Sequence, residues 1–244
     1  MSKRIFITGG AKGIGKAIVQ AFSKENNQVA FCDIDVDAGK ILSESTNSRF
    51  FKADAGNKEE LESALQKLFA DWGDIDILIN NVGVGHFKPI AELSVEEFEK
   101  VLDINLRSVF ITSRLLAIHR DKQVEKNPYG RIINLCSTRY LMSESGTEAY
   151  SASKGGVFSL THSLSISLSP YNITVNSISP GWIENYNYES LTKEDHLQHP
   201  SKRVGEPDDI ARMVLFICDE KNDFINGENI VIDGGMTRKM IYHP

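Results

Sequence analysis

The 244 residues carry 27 Lys and Arg against 33 Asp and Glu, a net charge of −6 that argues against nucleic acid or an anionic membrane as the main partner. With 41% hydrophobic residues, no visible leader and no run long enough to span a bilayer, residues 1–244 are expected to form one cytoplasmic domain acting on a small molecule. The three cysteines, Cys32, Cys136 and Cys218, lie far apart without metal-ligand spacing, so we expect reduced thiols and no metal site.

Short apolar runs rich in β-branched residues alternate with longer amphipathic segments along the chain. The runs predict seven strands, at residues 4–8, 28–33, 49–54, 75–80, 130–136, 173–179 and 229–232. The amphipathic segments predict helices at residues 14–23, 38–45, 58–72, 95–119, 150–168 and 208–219. Alternation of strand and helix predicts an α/β fold, a Rossmann-type doubly wound parallel seven-stranded sheet with helices on both faces.

A glycine-rich turn, TGGAKGIG, joins the first predicted strand to the first helix. Gly9, Gly13 and Gly15 lack a Cβ, so the backbone can approach a pyrophosphate, and the helix start near Ile14 supplies free N–H groups. Glycines also serve ordinary tight turns, but the strand before and the helix after are the context of a dinucleotide site.

The end of the second strand bears on the choice of dinucleotide. Asp33 lies at about the spacing at which a carboxylate meets the adenosine ribose, where it accepts from the 2′-hydroxyl and repels a 2′-phosphate. This favours NAD over NADP. Lys12, inside the glycine turn, pulls the other way because its ammonium could meet a 2′-phosphate. Asp33 could also be a strand-end turn residue, and Asp35 is then the alternative carboxylate for the contact with the ribose.

Polar residues also follow the third and fourth strands, at the edge where a doubly wound sheet binds its ligand. Asp54 ends the third strand and Ala55 follows it, and Asn81 and Gly83 belong to the NNVG turn that ends the fourth. We expect these four residues to contact the cofactor. For Asn80 and Asn81, pinning neighbouring strands is an equally good interpretation.

The chemistry is predicted by Tyr150 and Lys154, four residues apart in YSASK and therefore on one face of a helix. A phenol ordinarily has a pKa of about 10, and an adjacent ammonium favours its phenolate, as a base near neutrality requires. Ser137, after the fifth strand, could donate to a carbonyl oxygen or cap a turn. Asn105, in DINLRS, alone reads as a core hydrogen-bonding residue. Cys136 reads as a buried thiol and not as a nucleophile.

In order and spacing, these motifs resemble the short-chain dehydrogenase/reductase family over almost the whole chain. The matching segments are TGGAKGIG, Asp33, Asp54, NNVG, Asn105, Ser137, YSASK, SPG at 179–181, RVGEPDDIA at 203–211 and DGG at 233–235. The resemblance implies that Tyr150 is the acid/base and that Lys154 assists it and holds the nicotinamide ribose. It also implies that Ser137 orients the substrate oxygen and that Asn105 holds a water in a proton relay.

The resemblance implies further contacts and an assembly. Pro180, Gly181 and the backbone of Ile183 are expected at the carboxamide end of the cofactor. Where the family often places a threonine, this chain has Asn185, whose amide would have to bind the carboxamide. A homotetramer is implied, built on the long helices and on the last helix and strand, with a homodimer as the alternative.

The substrate region is expected to include Arg139, Trp182, Ser137 and Tyr150, beneath a short lid at about 182–202. His196 and His199 share a helical spacing, but no further ligand accompanies them, which argues against zinc. The predicted function is hydride transfer between NAD(H) and a secondary alcohol or ketone, such as a polyol or sugar, a cyclic alcohol or a hydroxysteroid. The alternatives are a 3-oxoacyl-thioester reductase and a non-catalytic dinucleotide-binding sensor.

Overall fold

The computed structural model describes residues 2–240, and within this range seven strands alternate with α-helices. The strands are β1 (Arg4–Thr8), β2 (Gln28–Asp33), β3 (Arg49–Lys52), β4 (Ile77–Asn80), β5 (Arg131–Leu135), β6 (Thr174–Pro180) and β7 (Asn229–Ile232). The helices are α1 (Gly13–Ser23), α2 (Val36–Thr46), α3 (Lys58–Trp72), α4 (Val95–Leu102), α5 (Ser108–Asp121), α6 (Glu148–Ser167), α7 (Lys193–Leu197) and α8 (Pro207–Cys218).

All seven strands form one parallel sheet in the order β3-β2-β1-β4-β5-β6-β7. The predicted doubly wound fold is therefore confirmed. The strand order reverses between β1 and β4, so the loops after these two strands diverge to opposite faces and leave a crevice between them. Thr8 at the end of β1 pairs in register with Asn80 at the end of β4, which places both strand ends at that crevice.

Both faces of the sheet are covered, which explains why the strand sequences are apolar without alternation. On one face Ile5, Ile7 and Phe31 pack with residues of α1 and α8. On the other face Phe6 and Leu78 pack with residues of α3 and α5. The sheet is therefore the rigid middle layer, and polar side chains at strand ends, such as Thr8, Asp33 and Asn80, lie at its carboxyl edge.

The boundaries of the predicted elements agree with the structure to within two residues, and three differences bear on the site. The edge strand β3 ends at Lys52, so Asp54 lies in the following turn instead of in the strand. The predicted helix 95–119 extends to Asp121 but contains a π-helical turn, Asp103–Arg107, between α4 and α5. The short helix α7 lies within the lid segment and is not among the predicted helices, because five residues are too few to show an apolar periodicity. A capping box formed by Thr192 and Asp195 begins it.

Candidate active site

A cleft of about 890 Å³ runs along the carboxyl edge of the sheet. On the β2 side its wall contains the glycine turn and Asp33, and on the β5 side it contains Ser137, Tyr150 and Lys154. The sheet topology thus brings together residues that are separated by more than half of the chain. The binding motif and the chemical motif share one cleft.

The glycine turn requires its glycines. Gly9 and Gly13 have φ of +66° and +53°, in the left-handed region that other residues rarely adopt. A Cβ on Gly15 would lie 2.0 Å from the carbonyl oxygen of Gly9. Helix α1 begins here without a side-chain cap, so its first N–H groups remain open to an anion. The turn therefore fits the pyrophosphate of a dinucleotide.

By contrast, the helices α2, α3 and α4 begin with side-chain caps. Asp35, Asn57 and Ser94 accept from backbone N–H groups at the starts of α2, α3 and α4. Those helix starts have their own acceptors, so among these four helices α1 is the one whose N-terminus lines the cleft uncapped.

The structure distinguishes Asp33 from its rival Asp35. Asp33 lines the cleft, and its two carboxylate oxygens accept from Ala11 N–H at 2.9 Å and from Asp35 N–H at 3.0 Å. The side chain of Asp35 instead caps α2 through Ala38 N–H and pairs with Lys12, with 2.5 Å between Nζ and Oδ2. Asp33 is therefore the carboxylate presented to a ribose in the cleft.

The polar residues after β3 and β4 divide between the cleft and the core. Asp54, Ala55, Asn81 and Gly83 all line the cleft. The amide of Asn81 donates to the carbonyl oxygens of Thr8 and Gly9, so it also holds the glycine turn in place. Asn80 faces the interior, where it bonds to Asn134 and Thr112. Asn80 is thus a structural residue.

Tyr150 and Lys154 lie on the first turns of α6, as their spacing predicts. The Lys154 ammonium is buried, donates to the carbonyl oxygen of Leu135 at 2.7 Å and lies 5.6 Å from the centroid of the Tyr150 ring. The edge of Phe87 packs against the Tyr150 ring, with 5.9 Å between centroids. The phenol is thereby held between an aromatic ring and a fixed cation.

Ser137 and Cys136 differ in what they present to the cleft. The Ser137 hydroxyl accepts from Arg139 N–H at 3.2 Å, the predicted turn cap, and still lines the cleft with its proton available to donate. Burial raises the pKa of the Cys136 thiol, whose Sγ donates to the carbonyl oxygen of Lys154. Cys136 therefore has the character of a core thiol.

Asn105 lies in the π-helical turn between α4 and α5, a type of distortion that often occurs at functional sites. Its amide nitrogen donates to the carbonyl oxygen of Val84 and to Ser153 Oγ, and its Oδ1 accepts from Val84 N–H. The side chain thus fastens the loop after β4 to α6. This is the core hydrogen-bonding role that the residue type alone indicates.

The segment after β6 passes over the cleft. Pro180, Gly181 and Ile183 line it, and a single bridge joins Ile183 to Gly205. In that bridge Glu184 N–H and Gly205 N–H are the donors, so the bridge itself leaves the N–H of Ile183 unused. The side chain of Asn185 lies against the glycine turn, where a Cβ on Gly13 would be 2.7 Å from its Oδ1. Asn185 is therefore placed beside the phosphate turn, which does not support its predicted contact with the carboxamide.

Two predicted substrate contacts are not brought to the cleft. The Arg139 guanidinium forms a 2.6 Å ion pair with Glu144, and Trp182 packs near His199, with 6.1 Å between ring centroids. The corresponding wall contains His86 and Tyr186 instead. His86 shortly follows the NNVG turn and Tyr186 lies in the lid segment, so the sequence indicates both as residues that frame the substrate pocket.

Residues 2–240 contain neither a cluster of metal ligands nor a membrane-spanning helix. His196 Nδ1 accepts from Val204 N–H, and His199 is buried. Across the described range, no group of three or more His, Cys, Asp or Glu side chains is arranged to hold a metal ion. No helix between residues 2 and 240 is both long and apolar enough to cross a bilayer.

Comparison with known proteins identifies relatives over almost the entire length. Residues 9–237 match a family model described as enoyl-(acyl carrier protein) reductase. An uncharacterized oxidoreductase of Thermotoga maritima is 44% identical over 97% of this chain and 96% of that protein. The 5-keto-D-gluconate 5-reductase of Escherichia coli is 30% identical over 96% of this chain and 95% of that protein.

The structural comparison agrees. The structure of an apo SCOR enzyme from Clostridium thermocellum superposes with a TM-score of 0.89 at 38% identity, covering 100% of this chain and 96% of that one. The predicted oxidoreductase acting on CH–OH groups is confirmed by these relatives. The parallel sheet, the shared cleft and these matches show that the chain belongs to the short-chain dehydrogenase/reductase family.

Proposed function

We propose that this protein is an NAD(H)-dependent oxidoreductase that moves a hydride between the nicotinamide and a secondary alcohol or ketone. The observation that carries the proposal is that Tyr150, Lys154 and Ser137 line the same cleft as the glycine turn and Asp33. NAD(H) bound along this edge supplies the hydride acceptor or donor. The residues of the chain then have to orient the substrate oxygen and to transfer one proton.

Tyr150 is the acid/base in this proposal. In oxidation its phenolate accepts the proton of the substrate hydroxyl, and in reduction its phenol returns a proton to the carbonyl oxygen. The buried Lys154 ammonium lies 5.6 Å from the centroid of the Tyr150 ring, and both side chains line the cleft. Ser137 donates its own proton to the substrate oxygen, because its Oγ uses a lone pair to accept from Arg139.

Asn105 is proposed to hold a water that links Lys154 to solvent. Its Oδ1 accepts from Val84 N–H and keeps a second lone pair for a water. A Cβ on Gly83 would lie 3.1 Å from Lys154 Nζ and 4.0 Å from Asn105 Oδ1. The glycine thus leaves space that both polar groups flank, which supports a proton relay at this point.

NAD is the proposed cofactor. Asp33 keeps lone pairs for ribose hydroxyls after accepting from Ala11 and Asp35, and its negative charge would face a 2′-phosphate directly. Pro180, Gly181 and the unused N–H of Ile183 are proposed to contact the nicotinamide carboxamide. A parent protein that turned over NADP⁺ faster than NAD⁺ would contradict this assignment.

The substrate is proposed to be a secondary alcohol or ketone of the polyol or sugar, cyclic alcohol or hydroxysteroid classes. The relative named 5-keto-D-gluconate 5-reductase supports the sugar class. The second candidate is reduction of a 3-oxoacyl thioester, which is supported by a relative in Chlamydia muridarum named 3-oxoacyl-[acyl-carrier-protein] reductase, 31% identical over 97% of this chain. The net charge of −6 counts against it, because the carrier or coenzyme of the thioester brings phosphate to the entrance of the cleft. Asp33 counts against it as well, because such reductions commonly use NADPH.

We also propose that the protein is a cytoplasmic homotetramer, with a homodimer as the alternative. Phe110 on α5 and Phe158 and Ile166 on α6 are 49%, 37% and 75% exposed, and an exposed Phe216 on α8 provides a second apolar face. Such surfaces favour burial against further copies of the chain. The cysteines of residues 2–240 are all free and buried, as is usual in a reducing compartment.

The test is turnover by Tyr150→Phe, with Tyr171→Phe as the matched control because that ring lies away from the cleft. Loss of a general acid/base is expected to lower kcat by about 10²–10⁴-fold. Formation of NADH from NAD⁺ is first screened over polyols, cyclic alcohols, hydroxysteroids and 3-hydroxyacyl thioesters. NADH binding, followed by fluorescence, should persist in both variants. Full activity of Tyr150→Phe would refute the acid/base assignment, and a chain that binds NADH without turnover would be the non-catalytic sensor.

A further inference from the structure

The glycine turn contains a cation that its own neighbours restrain. We infer that Asp35 determines cofactor specificity indirectly, by holding the Lys12 ammonium away from the 2′ position of the adenosine ribose. This inference rests on the proposed function, since it concerns discrimination between NAD and NADP in the same cleft. It makes Asp35 a positioning residue that acts through Lys12.

The carboxylate of Asp35 is fixed at both oxygens. Its Oδ1 accepts from Ala38 N–H at 3.0 Å, which anchors it as the cap of α2, and its Oδ2 is 2.5 Å from Lys12 Nζ. Because one oxygen is committed to the helix, the carboxylate cannot follow the ammonium elsewhere without losing the cap. Lys12 is therefore the mobile partner, and its side chain is 56% exposed.

Both groups of the pair are charged at neutral pH. The hydrogen bond to Asp35 raises the pKa of Lys12, and the same hydrogen bond lowers the pKa of the Asp35 carboxyl. Asp33 and Tyr186 also face Lys12. A phosphate near this turn thus meets two carboxylates and one ammonium.

The arrangement explains how the chain can carry Lys12 inside its phosphate turn and still select against a 2′-phosphate. Asp33 repels such a phosphate directly, and Asp35 neutralises the Lys12 ammonium, which could otherwise attract it. Removal of the Asp35 charge would leave one carboxylate and one free ammonium beside the ribose.

The test uses Asp35→Asn, since asparagine caps a helix as well as aspartate but carries no charge. Isothermal titration of 5′-AMP and 2′,5′-ADP measures the two adenosine ligands without any turnover. We expect Asp35→Asn to bind 2′,5′-ADP about two- to fivefold more tightly, the upper part of the range of an exposed charge pair, and 5′-AMP within about twofold of the parent. The gain should disappear in the Lys12→Ala/Asp35→Asn double variant.

Asp37→Asn is the matched control, because Asp37 is an exposed carboxylate in the first turn of the same helix. A comparable gain in Asp37→Asn, or a gain that persists without Lys12, would mean that loss of negative charge alone suffices and would overturn the inference. Unchanged 2′,5′-ADP binding with intact 5′-AMP binding would overturn it while leaving the proposed function in place. A parent protein that binds neither 5′-AMP nor NADH would overturn both.

Discussion

A buried ladder of polar side chains connects the sheet to the helices that frame the cleft. The amide of Asn80 donates to Asn134 Oδ1 at 2.8 Å, and the amide of Asn134 donates to Thr161 Oγ1 at 3.0 Å. Thr112 on α5 donates to Asn80 Oδ1 at 2.7 Å. All four side chains are at most 3% exposed. The ladder therefore ties β4 and β5 to α5 and to α6, the helix that carries Tyr150.

We expect Asn134→Ala to destabilise the protein substantially. The change removes two hydrogen bonds, each with a net contribution of about 0.5–1.5 kcal/mol, and leaves the amide of Asn80 without an acceptor at a cost of about 1–3 kcal/mol. The free energy of unfolding should therefore fall by about 2–6 kcal/mol. At about 2–4 °C per kcal/mol for a chain of this size, Tm should fall by about 4–24 °C.

The assay is urea unfolding followed by circular dichroism at one fixed protomer concentration, because subunit association would otherwise change the apparent stability. Asn187→Ala is the control, an exposed loop position where a change within about 0.5 kcal/mol is expected. In the double variant Asn80→Ala/Asn134→Ala, the second substitution should cost at least about 0.5 kcal/mol less than it does alone. A loss below about 1 kcal/mol for Asn134→Ala, with additive double variants, would refute the ladder.

Two further predictions concern the cleft and its rim. Gly15→Ala should abolish binding of 5′-AMP and NADH, because the added Cβ would lie 2.0 Å from the Gly9 carbonyl oxygen. The affinity is measured by titration calorimetry, and an affinity equal to that of the parent protein would contradict the steric argument. Glu97 has a pKa of about 2, lowered chiefly by its hydrogen bond with Lys88, so its stabilising contribution should be complete above about pH 4.5 and lost as the pH falls toward 2. The difference in Tm between the parent and Glu97→Gln should accordingly be constant from pH 7 to pH 5 and shrink below that, and a difference that is flat throughout would exclude the ionised pair as its cause.

The fold could be predicted from the sequence because the sheet is buried on both faces. Continuous apolar runs are then required in every strand, and all seven runs correspond to strands of the parallel sheet. The end of β3 was less predictable, since this edge strand is only partly buried and no glycine or proline directly after Lys52 marks where it ends. The π-helical turn at Asp103–Arg107 was not predictable, because a single extra residue per turn hardly alters the apolar periodicity of a long helix.

The site was predictable to the extent that its residues act through local geometry. The glycine turn and the Tyr150–Lys154 pair depend on spacing within one element, and the structure brings both into the cleft. Arg139 was not predictable in the same way, because its ion pair with Glu144 forms within an irregular loop. Asn80 and Asn81 are adjacent and chemically identical, but Asn80 is the last residue of β4 and bonds in the core, whereas Asn81 is the first residue after the strand and bonds to the glycine turn.

The position of the Lys154 ammonium is set by the core more than by the cleft. Three successive residues at the end of β5 and directly after it contact α6: the Asn134 amide donates to Thr161 Oγ1, the Leu135 carbonyl oxygen accepts from Lys154 Nζ, and Cys136 Sγ donates to the Lys154 carbonyl oxygen. A shift of α6 by one turn would break all three contacts at once. Because the ammonium has three protons and Leu135 takes one, two remain for groups in the cleft. The polar ladder and the Tyr150–Lys154 pair are therefore parts of the same strand–helix contact.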